Sequence, residues 1–219
     1  VALVSTRFPG FTAPGNAANI FNDTSILIML ALGQMVVILT RCIDLSVASN
    51  LALSGMVVAL INTVVPGLPI PILLLIAISL GMVMGAFNGI LVWKLDIPPI
   101  VVTLGTLTIF RGIIFLISNG EWINAHEMSA SFKAFPRFDI LGLPVLSWMA
   151  VVTVIFFAII VTRTPLGRAF YAVGGNPHAA VYTGIDVGFT RFMAFVIAGG
   201  VSGLCGYLWV ARYVVAYVD

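Results

Sequence analysis

The chain has 219 residues, of which 61% are hydrophobic and 8% are charged, and its mean hydropathy is +1.15. These values lie outside the range of soluble domains and predict a membrane protein. With a formal net charge of only +2, the chain is not expected to bind nucleic acid.

Six apolar runs are long enough to cross a hydrocarbon layer of about 30 Å, which takes about 20 helical residues. We predict spans over residues 24–40, 47–65, 70–93, 97–117, 145–161 and 192–210. The short apolar-polar alternation of a membrane barrel is missing from these runs. The predicted fold class is therefore all-α, a polytopic transmembrane helical bundle with about six spans in a single domain over residues 1–219.

The distribution of Lys and Arg predicts the orientation, because short cytoplasmic loops are enriched in them. With the polar segment 162–191 inside, the cytoplasmic side holds Arg41, Lys94, Arg163, Arg168 and Arg191. The other side holds Arg7, Lys133, Arg137 and Arg212, and with them Asp23, Glu121, Glu127, Asp139 and Asp219. Residues 1–23 and the loop 118–144 are then external. Residues 1–23 carry no secretory signal, and the final stretch VARYVVAYVD has no basic tail, so we expect a fragment of a longer chain, truncated at both ends.

The stretch ILTRCIDLSVASNLALSG, residues 38–55, places Arg41 and Asp44 between two apolar runs. In one interpretation this is a turn at the cytoplasmic interface, where Asp44 or Ser46 caps the second span. In the other, the turn dips into the membrane and its backbone lines a cavity. Cys42 lies in this turn and Cys205 in the last span, so neither a disulfide nor a metal site is predicted.

Neutral polar side chains inside the spans suit the passage of an uncharged hydroxylated solute better than charges do. The candidate solute-path residues, including two from the turn, are Gln34, Asp44, Ser46, Asn50, Asn88, Thr103 and Thr106. Each has a rival role, because interhelical hydrogen bonds also stabilise bundles by about 1 kcal/mol each. Arg111 either snorkels outward, pairs with Glu121 or acts as an outer gate.

Small residues recur at helical spacing on three of the predicted spans. Ala77, Gly81, Gly85 and Gly89 share a face with Asn88, and Gly199 and Gly203 are four residues apart, so both faces are predicted helix-packing seams. Gly105 and Gly112 are seven residues apart and are also expected to admit a neighbouring helix.

Residues 162–191 are too polar to span and contain several local structure signals. Thr164-Pro165 starts a segment, and Gly174-Gly175-Asn176-Pro177 forms a turn. Asn176 is the predicted N-cap of a short helix over residues 177–182. An ordinary amphipathic connector is the alternative interpretation.

Three motifs together resemble the permease subunits of bacterial ABC importers for sugars, the ribose, xylose, rhamnose and autoinducer-2 group. They are LALGQMVVILTRCIDLSVASNLALSG, FPGFTAPGNAANIFNDTS and PLGRAFYAVGGNPHAAVYTGI, the last at residues 165–185. The family form of the first reads G-I-D-L-S-V-G-S, and Cys42 and Ala48 stand where it has glycines.

The resemblance implies that 162–191 is a cytoplasmic coupling loop whose short helix docks on a separate ATPase subunit. The coupling residues would be Gly174, Gly175, Asn176, Ala179, Ala180 and Gly184, with His178 as a contact or solvated residue. A periplasmic sugar-binding protein and a second permease chain, the same or different, would complete the assembly in the bacterial inner membrane. The sequence has no P-loop, so ATP would bind the partner, and no cofactor, metal or catalytic residue is predicted in this chain.

Three other classes remain as alternatives. Gly200 to Gly203 matches the G-x-S-G pattern of rhomboid-type proteases, but no histidine follows His178 to activate Ser202. An ion-coupled secondary transporter would favour acidic residues inside the membrane, whereas all eight acids lie outside the predicted spans. The third is a branched-chain amino-acid ABC permease.

Overall fold

The structure is a computed structural model that describes residues 14–218. Its helices are α1 Pro14–Leu39, α2 Val47–Val64, α3 Ile70–Lys94, α4 Pro99–Ser118, α5 Ala130–Ala134, α6 Val145–Arg163, α7 Pro165–Gly175, α8 Pro177–Tyr182 and α9 Val187–Tyr213. A 3-10 turn, Phe135–Arg137, and a two-stranded antiparallel hairpin, β1 Asp139–Ile140 and β2 Leu143–Pro144, follow α5. Arg7 and the rest of the external segment up to residue 13, together with Asp219, lie outside the described residues.

Six of these helices, α1, α2, α3, α4, α6 and α9, are long and apolar enough to cross a membrane. The predicted all-α polytopic bundle is thereby confirmed. The two ends of the bundle are called inner and outer, following the orientation predicted from Lys and Arg. The turn after α1, the turn after α3 and the segment with α7 and α8 lie at the inner end.

Two helices, α1 and α9, begin earlier than predicted, and the earlier start of α1 changes the position of Asp23. Helix α1 begins at Pro14, a residue suited to the first helical turn. Asp23 therefore lies inside the first span, so the expectation that every acid lies outside the spans is wrong for this residue. Asp23 Oδ1 accepts a hydrogen bond of 2.6 Å from Arg212 Nη2, and this ion pair is near the outer end.

Helix α9 begins at Val187 because the Asp186 side chain caps it, accepting a hydrogen bond from Phe189 N at 2.8 Å. The apolar run that begins at residue 192 marks only the later part of this helix. Arg191 therefore lies in the second turn of α9 and not in the connecting loop.

Helix α9 is the most deeply buried span, and it packs against α3 along the predicted glycine seam. A Cβ placed on Gly81 would collide with the Gly199 carbonyl oxygen and lie 2.8 Å from Gly203 Cα. The seam between these two helices is confirmed. Ser202, on the same helix, is buried, and its Oγ donates to Ala198 O at 2.9 Å.

The corresponding expectation for α4 is wrong within the described chain. A Cβ added to Gly105 or Gly112 would meet no atom of residues 14–218 within 4 Å. Both glycines lie on the exposed side of α4, along with apolar side chains such as Leu104 and Ile109. Arg111 shares this exposed surface, and the described residues show no ion pair between it and Glu121.

The long loop between α4 and α6 folds back over the outer end. Asn62, near the end of α2, donates to Ser129 Oγ at 3.0 Å and accepts from Ser129 N at 2.9 Å. Ile123 forms an antiparallel bridge with Ala216, and Arg137 Nη2 donates to Arg212 O at 2.7 Å. These contacts anchor the loop to the outer ends of α2 and α9.

Candidate functional site

The turn after α1 is built around a residue with a left-handed backbone. Arg41 has φ +61°, and the Arg41 and Cys42 N–H groups donate to Ile38 O and Val37 O at 2.9 and 3.2 Å. This is a Schellman-type helix end, in which the left-handed position usually holds glycine. Cys42 has no positive φ, so the glycine that the family carries there is not required for this turn.

The turn continues into a buried hydrogen-bonded chain of three side chains. Asp44 Oδ1 accepts from Ser46 N at 2.8 Å and from Ser46 Oγ at 2.6 Å. Asn88 Nδ2 on α3 donates to Ser46 Oγ at 2.8 Å. Ser46 makes no side-chain cap to α2, so the expectation that Ser46 caps this helix is wrong, and its hydroxyl instead joins Asp44 to Asn88.

These contacts also show how far the turn lies from the inner end of α3. Asn88 lies six residues before the end of α3 at Lys94, which corresponds to about 9 Å of helix. Because Asn88 bonds directly to Ser46, the start of α2 is recessed from the inner end of α3 by about that distance. The geometry favours the second of the two interpretations, a turn that dips between the spans.

Five of the predicted path residues meet here. Gln34 Nε2 donates to Asp44 O, and Thr103 Oγ1 donates to Ile43 O, both at 3.3 Å. We call this set the inner polar cluster; its members are Gln34, Asp44, Ser46, Asn88 and Thr103. In this structure all except Gln34 are buried, and Gln34 is half-buried.

The other two predicted path residues lie outside the inner polar cluster. Asn50 Nδ2 donates to Gly81 O at 3.3 Å, and Asn50 Oδ1 accepts from Ser54 Oγ at 3.4 Å, so its side chain joins α2 to α3. Thr106 Oγ1 donates to Thr103 O in its own helix at 3.3 Å. Asn50 therefore holds two helices together, and the hydroxyl of Thr106 is satisfied within its own helix.

Three buried polar atoms of the described chain have no hydrogen-bond partner within it: Gln34 Oε1, Asn88 Oδ1 and Arg191 Nε. A buried polar atom without a partner costs about 1–3 kcal/mol, so water or a hydroxylated ligand is favoured at such a site. Sequence reasoning missed Arg191, because the span was predicted to begin after it. Asp186, a good N-cap five residues earlier, was the local signal for the longer helix.

Burial also changes the acid-base properties of the connecting turn, which lies between the two spanning segments. Burial raises the pKa of the Asp44 carboxyl above its ordinary value, and the hydrogen bonds from Ser46 offset part of that rise. Burial likewise raises the pKa of the Cys42 thiol, partly offset by its hydrogen bond to Thr40 and by the positive charge of Arg191.

The predicted start at Thr164 and the predicted short helix over residues 177–182 are confirmed, whereas Gly174 and Gly175 belong to the last turn of α7 and only Asn176 separates the two helices. Thr164 Oγ1 accepts from Gly167 N at 3.1 Å and begins α7, while Asn176 Oδ1 accepts from Ala179 N at 3.1 Å and begins α8. Gly184 has φ +81°, the left-handed conformation that lets the chain turn from α8 towards α9.

The orientation of α8 divides the predicted coupling residues. Ala180 is buried against its own chain, whereas Ala179 is exposed, as are Gly175, Asn176, His178 and Gly184. The most exposed apolar side chains of α8 are Tyr182, 92% exposed, and Val181, 60% exposed. These two were not predicted as coupling residues, because the prediction relied mainly on the small residues of the motif.

Gly174 and Gly175 have a second set of contacts, with the turn after α1. Arg41 Nε donates to Gly174 O at 2.6 Å, and Arg41 Nη2 donates to Gly175 O at 2.7 Å. A Cβ on Gly174 would collide with the Leu39 carbonyl oxygen, so the missing side chain lets the ends of α1 and α7 touch.

Comparison with known proteins gives relatives along most of the chain. The autoinducer 2 import system permease protein LsrC of Salmonella paratyphi B is 37% identical over 194 residues, which are 88% of this chain and 55% of that protein. The corresponding protein of an Enterobacter species is 38% identical over 93% of this chain and 58% of its own length. That of Escherichia coli is 36% identical over 88% of this chain and 55% of its own length.

The chain spans about half the length of the curated relatives it matches. No solved structure matches it. The family model described as the permease component of branched-chain amino acid transport systems matches residues 16–219. With its six candidate spans, the chain is a multi-pass protein of the bacterial inner membrane, and it belongs to this permease family.

Proposed function

We propose that this chain is part of the membrane-spanning permease subunit of an ATP-binding cassette importer for a monosaccharide or similar hydroxylated solute. A separate ATPase subunit hydrolyses ATP at the inner face, and this chain forms one side of the solute path. The chain is a transport subunit, as its relatives are, and not an enzyme.

The observation that carries the proposal is the exposed α7 and α8 segment at the inner end. Helix α8 has only six residues and begins at the Asn176 cap, and its Val181 and Tyr182 side chains are exposed. The nearby exposed cations Arg163 and Arg168 favour a position outside the hydrocarbon layer. An apolar tip in such a place is suited to a protein partner, which we identify as the ATPase subunit.

The inner polar cluster supports a hydroxylated solute. Amide and hydroxyl groups exchange hydrogen bonds with sugar hydroxyls in both directions, and two unpartnered amide oxygens, on Gln34 and Asn88, are acceptors for them. The relatives are named as importers of autoinducer 2. Pentoses, deoxyhexoses and autoinducer 2 are therefore the solutes we propose first, delivered from outside by a periplasmic binding protein.

A branched-chain amino acid is the second candidate, because the family model carries that description. In its favour, the turn that holds Asp44 also holds Cys42, whose thiol feels the positive charge of Arg191, so an anion and a cation are both available for the two charges of an amino acid. In either case we expect a second permease chain, identical or related, to complete the path.

The proposed ATPase contact is tested by exchanging Tyr182 for aspartate in the full-length protein. Tyr182→Asp places a charge in an apolar interface and is expected to reduce co-purification of the ATPase subunit by about tenfold or more. Leu141→Asp is the matched control, because Leu141 is 90% exposed but lies in the hairpin at the outer end. Equal ATPase recovery with both variants would contradict the docking site.

A further inference from the structure

Arg41 connects two parts of the proposed transport machinery that are far apart in the sequence. Its guanidinium group donates to the carbonyls of Gly174 and Gly175, which are 133 and 134 residues away. The turn that contains Arg41 leads into the inner polar cluster, while the two glycines form the last residues of α7.

Both sides of this contact are built for a close fit. Arg41 keeps a left-handed backbone that costs a non-glycine residue of this kind about 1 kcal/mol or more, so the remainder of the structure must hold it there. On the other side, Gly174 has no side chain to separate α7 from the Leu39 carbonyl. The guanidinium fork then satisfies two carbonyls at a helix C-terminus, where a positive charge is also favourable.

Few residues separate this contact from α8 on one side and from the inner polar cluster on the other. Gly175 is followed directly by Asn176, the N-cap of α8. Arg41 precedes Asp44 by three residues, and Asp44 continues through Ser46 to Asn88 on α3. A displacement of α8 that pulls on the end of α7 therefore reaches the inner polar cluster through Arg41 and a few backbone bonds.

We propose that Arg41 is a positioning residue for transport, which transmits the movement of α8 to the inner polar cluster. This inference rests on the proposed function, because it assumes that an ATPase moves α8. Two hydrogen bonds from one planar group fix both distance and direction, which a single ammonium group does not. Loss of the fork is expected to separate ATP-driven movement of α8 from the turn.

Cys42 follows Arg41 directly and is buried in this structure. The rate at which a reagent modifies its thiol therefore reports how often the turn opens. The full-length protein, with Cys42 as its only cysteine, is assembled with the ATPase subunit in lipid nanodiscs. Modification by a membrane-impermeant maleimide is then compared with and without ATP and vanadate, which trap the nucleotide-bound state. We expect trapping to change the rate at least about fivefold in the otherwise unaltered protein.

Arg41→Gln is expected to bind the ATPase normally but to show less than about a twofold change in rate on trapping. Arg41→Lys, which keeps the charge but not the fork, is expected to resemble Arg41→Gln. Gly174→Ala provides a second variant that leaves Arg41 intact, since its methyl group pushes α7 away from Leu39. Lys94→Gln is the matched control, because it removes another exposed inner-end cation and should retain the full response.

A full response in Arg41→Gln and Gly174→Ala would overturn the inference while leaving the proposed function intact. Failure of the proposed function looks different, because the unaltered protein would then neither bind the ATPase nor respond to nucleotide. A response lost in Lys94→Gln as well would contradict the inference, since general loss of inner-end charge would explain all the variants.

Discussion

Asp44 is the only buried acidic residue in the described part of the chain. Its carboxyl accepts two hydrogen bonds from Ser46, but burial still raises its pKa. The folded state therefore takes up a proton at this group at a higher pH than the unfolded chain does. The charge of Asp44 accordingly lowers the stability of the fold at neutral pH.

Asp44→Asn is expected to raise the temperature of thermal unfolding in detergent at neutral pH. The amide oxygen of asparagine accepts the same two hydrogen bonds without a charge, so the variant should unfold at a higher temperature than the parent protein at neutral pH. The contribution of Asp44 to stability is fully present below the unfolded pKa of about 3.9 and is lost as the pH rises through the folded pKa. The difference between the two proteins should therefore shrink as the pH is lowered towards 4.

Measurement of both unfolding midpoints across this pH range checks the prediction. Because the other acidic residues are the same in both proteins, the difference isolates Asp44. A midpoint for Asp44→Asn that lies below that of the parent at neutral pH would contradict it. The ionised carboxylate would then be stabilised by a positive partner.

At the scale of elements, the α3 and α9 seam should be the contact least tolerant of added volume. Gly81→Ala places a methyl group against the Gly199 carbonyl and Gly203 Cα. Overpacking of this kind lowers the free energy of unfolding by about 1–3 kcal/mol, with larger losses where backbone cannot move aside. Thermal unfolding of the purified protein measures the effect.

Gly105→Ala is the matched control on another span. Its methyl group meets no atom of the described chain, and alanine favours helix over glycine by about 0.5–1 kcal/mol. We therefore expect unchanged or slightly raised stability. If Gly105→Ala lowered the stability as much as Gly81→Ala, a helix from outside the described chain would have to pack there.

These two glycines also show how far the sequence predicts the elements. Spacing identifies a face that can accept a neighbouring helix, but it does not say whether one is present. Residues 14–218 therefore confirm the seam on α3 and place no neighbour against the two glycines of α4. Asn176 was predicted as a cap, and Thr164 as the start of a segment, because both signals depend on residues a few positions away. The bonds from Arg41 to α7 join residues more than a hundred positions apart, and no local pattern predicts them.

The inner polar cluster was predicted in part from the sequence. Its members were found because polar residues inside apolar spans are few, and five of the seven candidates converge in the fold. Asn50 and Thr106 have the same chemistry, but Asn50 bonds to the backbone of a neighbouring helix and Thr106 to that of its own helix. Residue type alone does not separate the two roles, because the direction of each side chain depends on how the helices pack.

At the scale of the whole molecule, three features of the inner end are connected to one another. The exposed α8 follows α7 directly, Arg41 bonds to the end of α7, and the turn that holds Arg41 leads into the inner polar cluster. At the other end, the loop between α4 and α6 is held over the outer ends of α2 and α9. This arrangement suits a permease subunit whose solute path is opened and closed by a separate ATPase subunit at the inner face.

The most direct test of this account is uptake of labelled solute into proteoliposomes. They contain the full-length protein, its partner permease where that differs, and the ATPase subunit, with the periplasmic binding protein supplied outside. The probes are ribose, xylose, rhamnose, autoinducer 2 and leucine. We predict uptake of one of the first four that requires ATP inside the vesicle and the ATPase subunit. Uptake without the ATPase, driven instead by an imposed proton or sodium gradient, would contradict the account and indicate a secondary transporter.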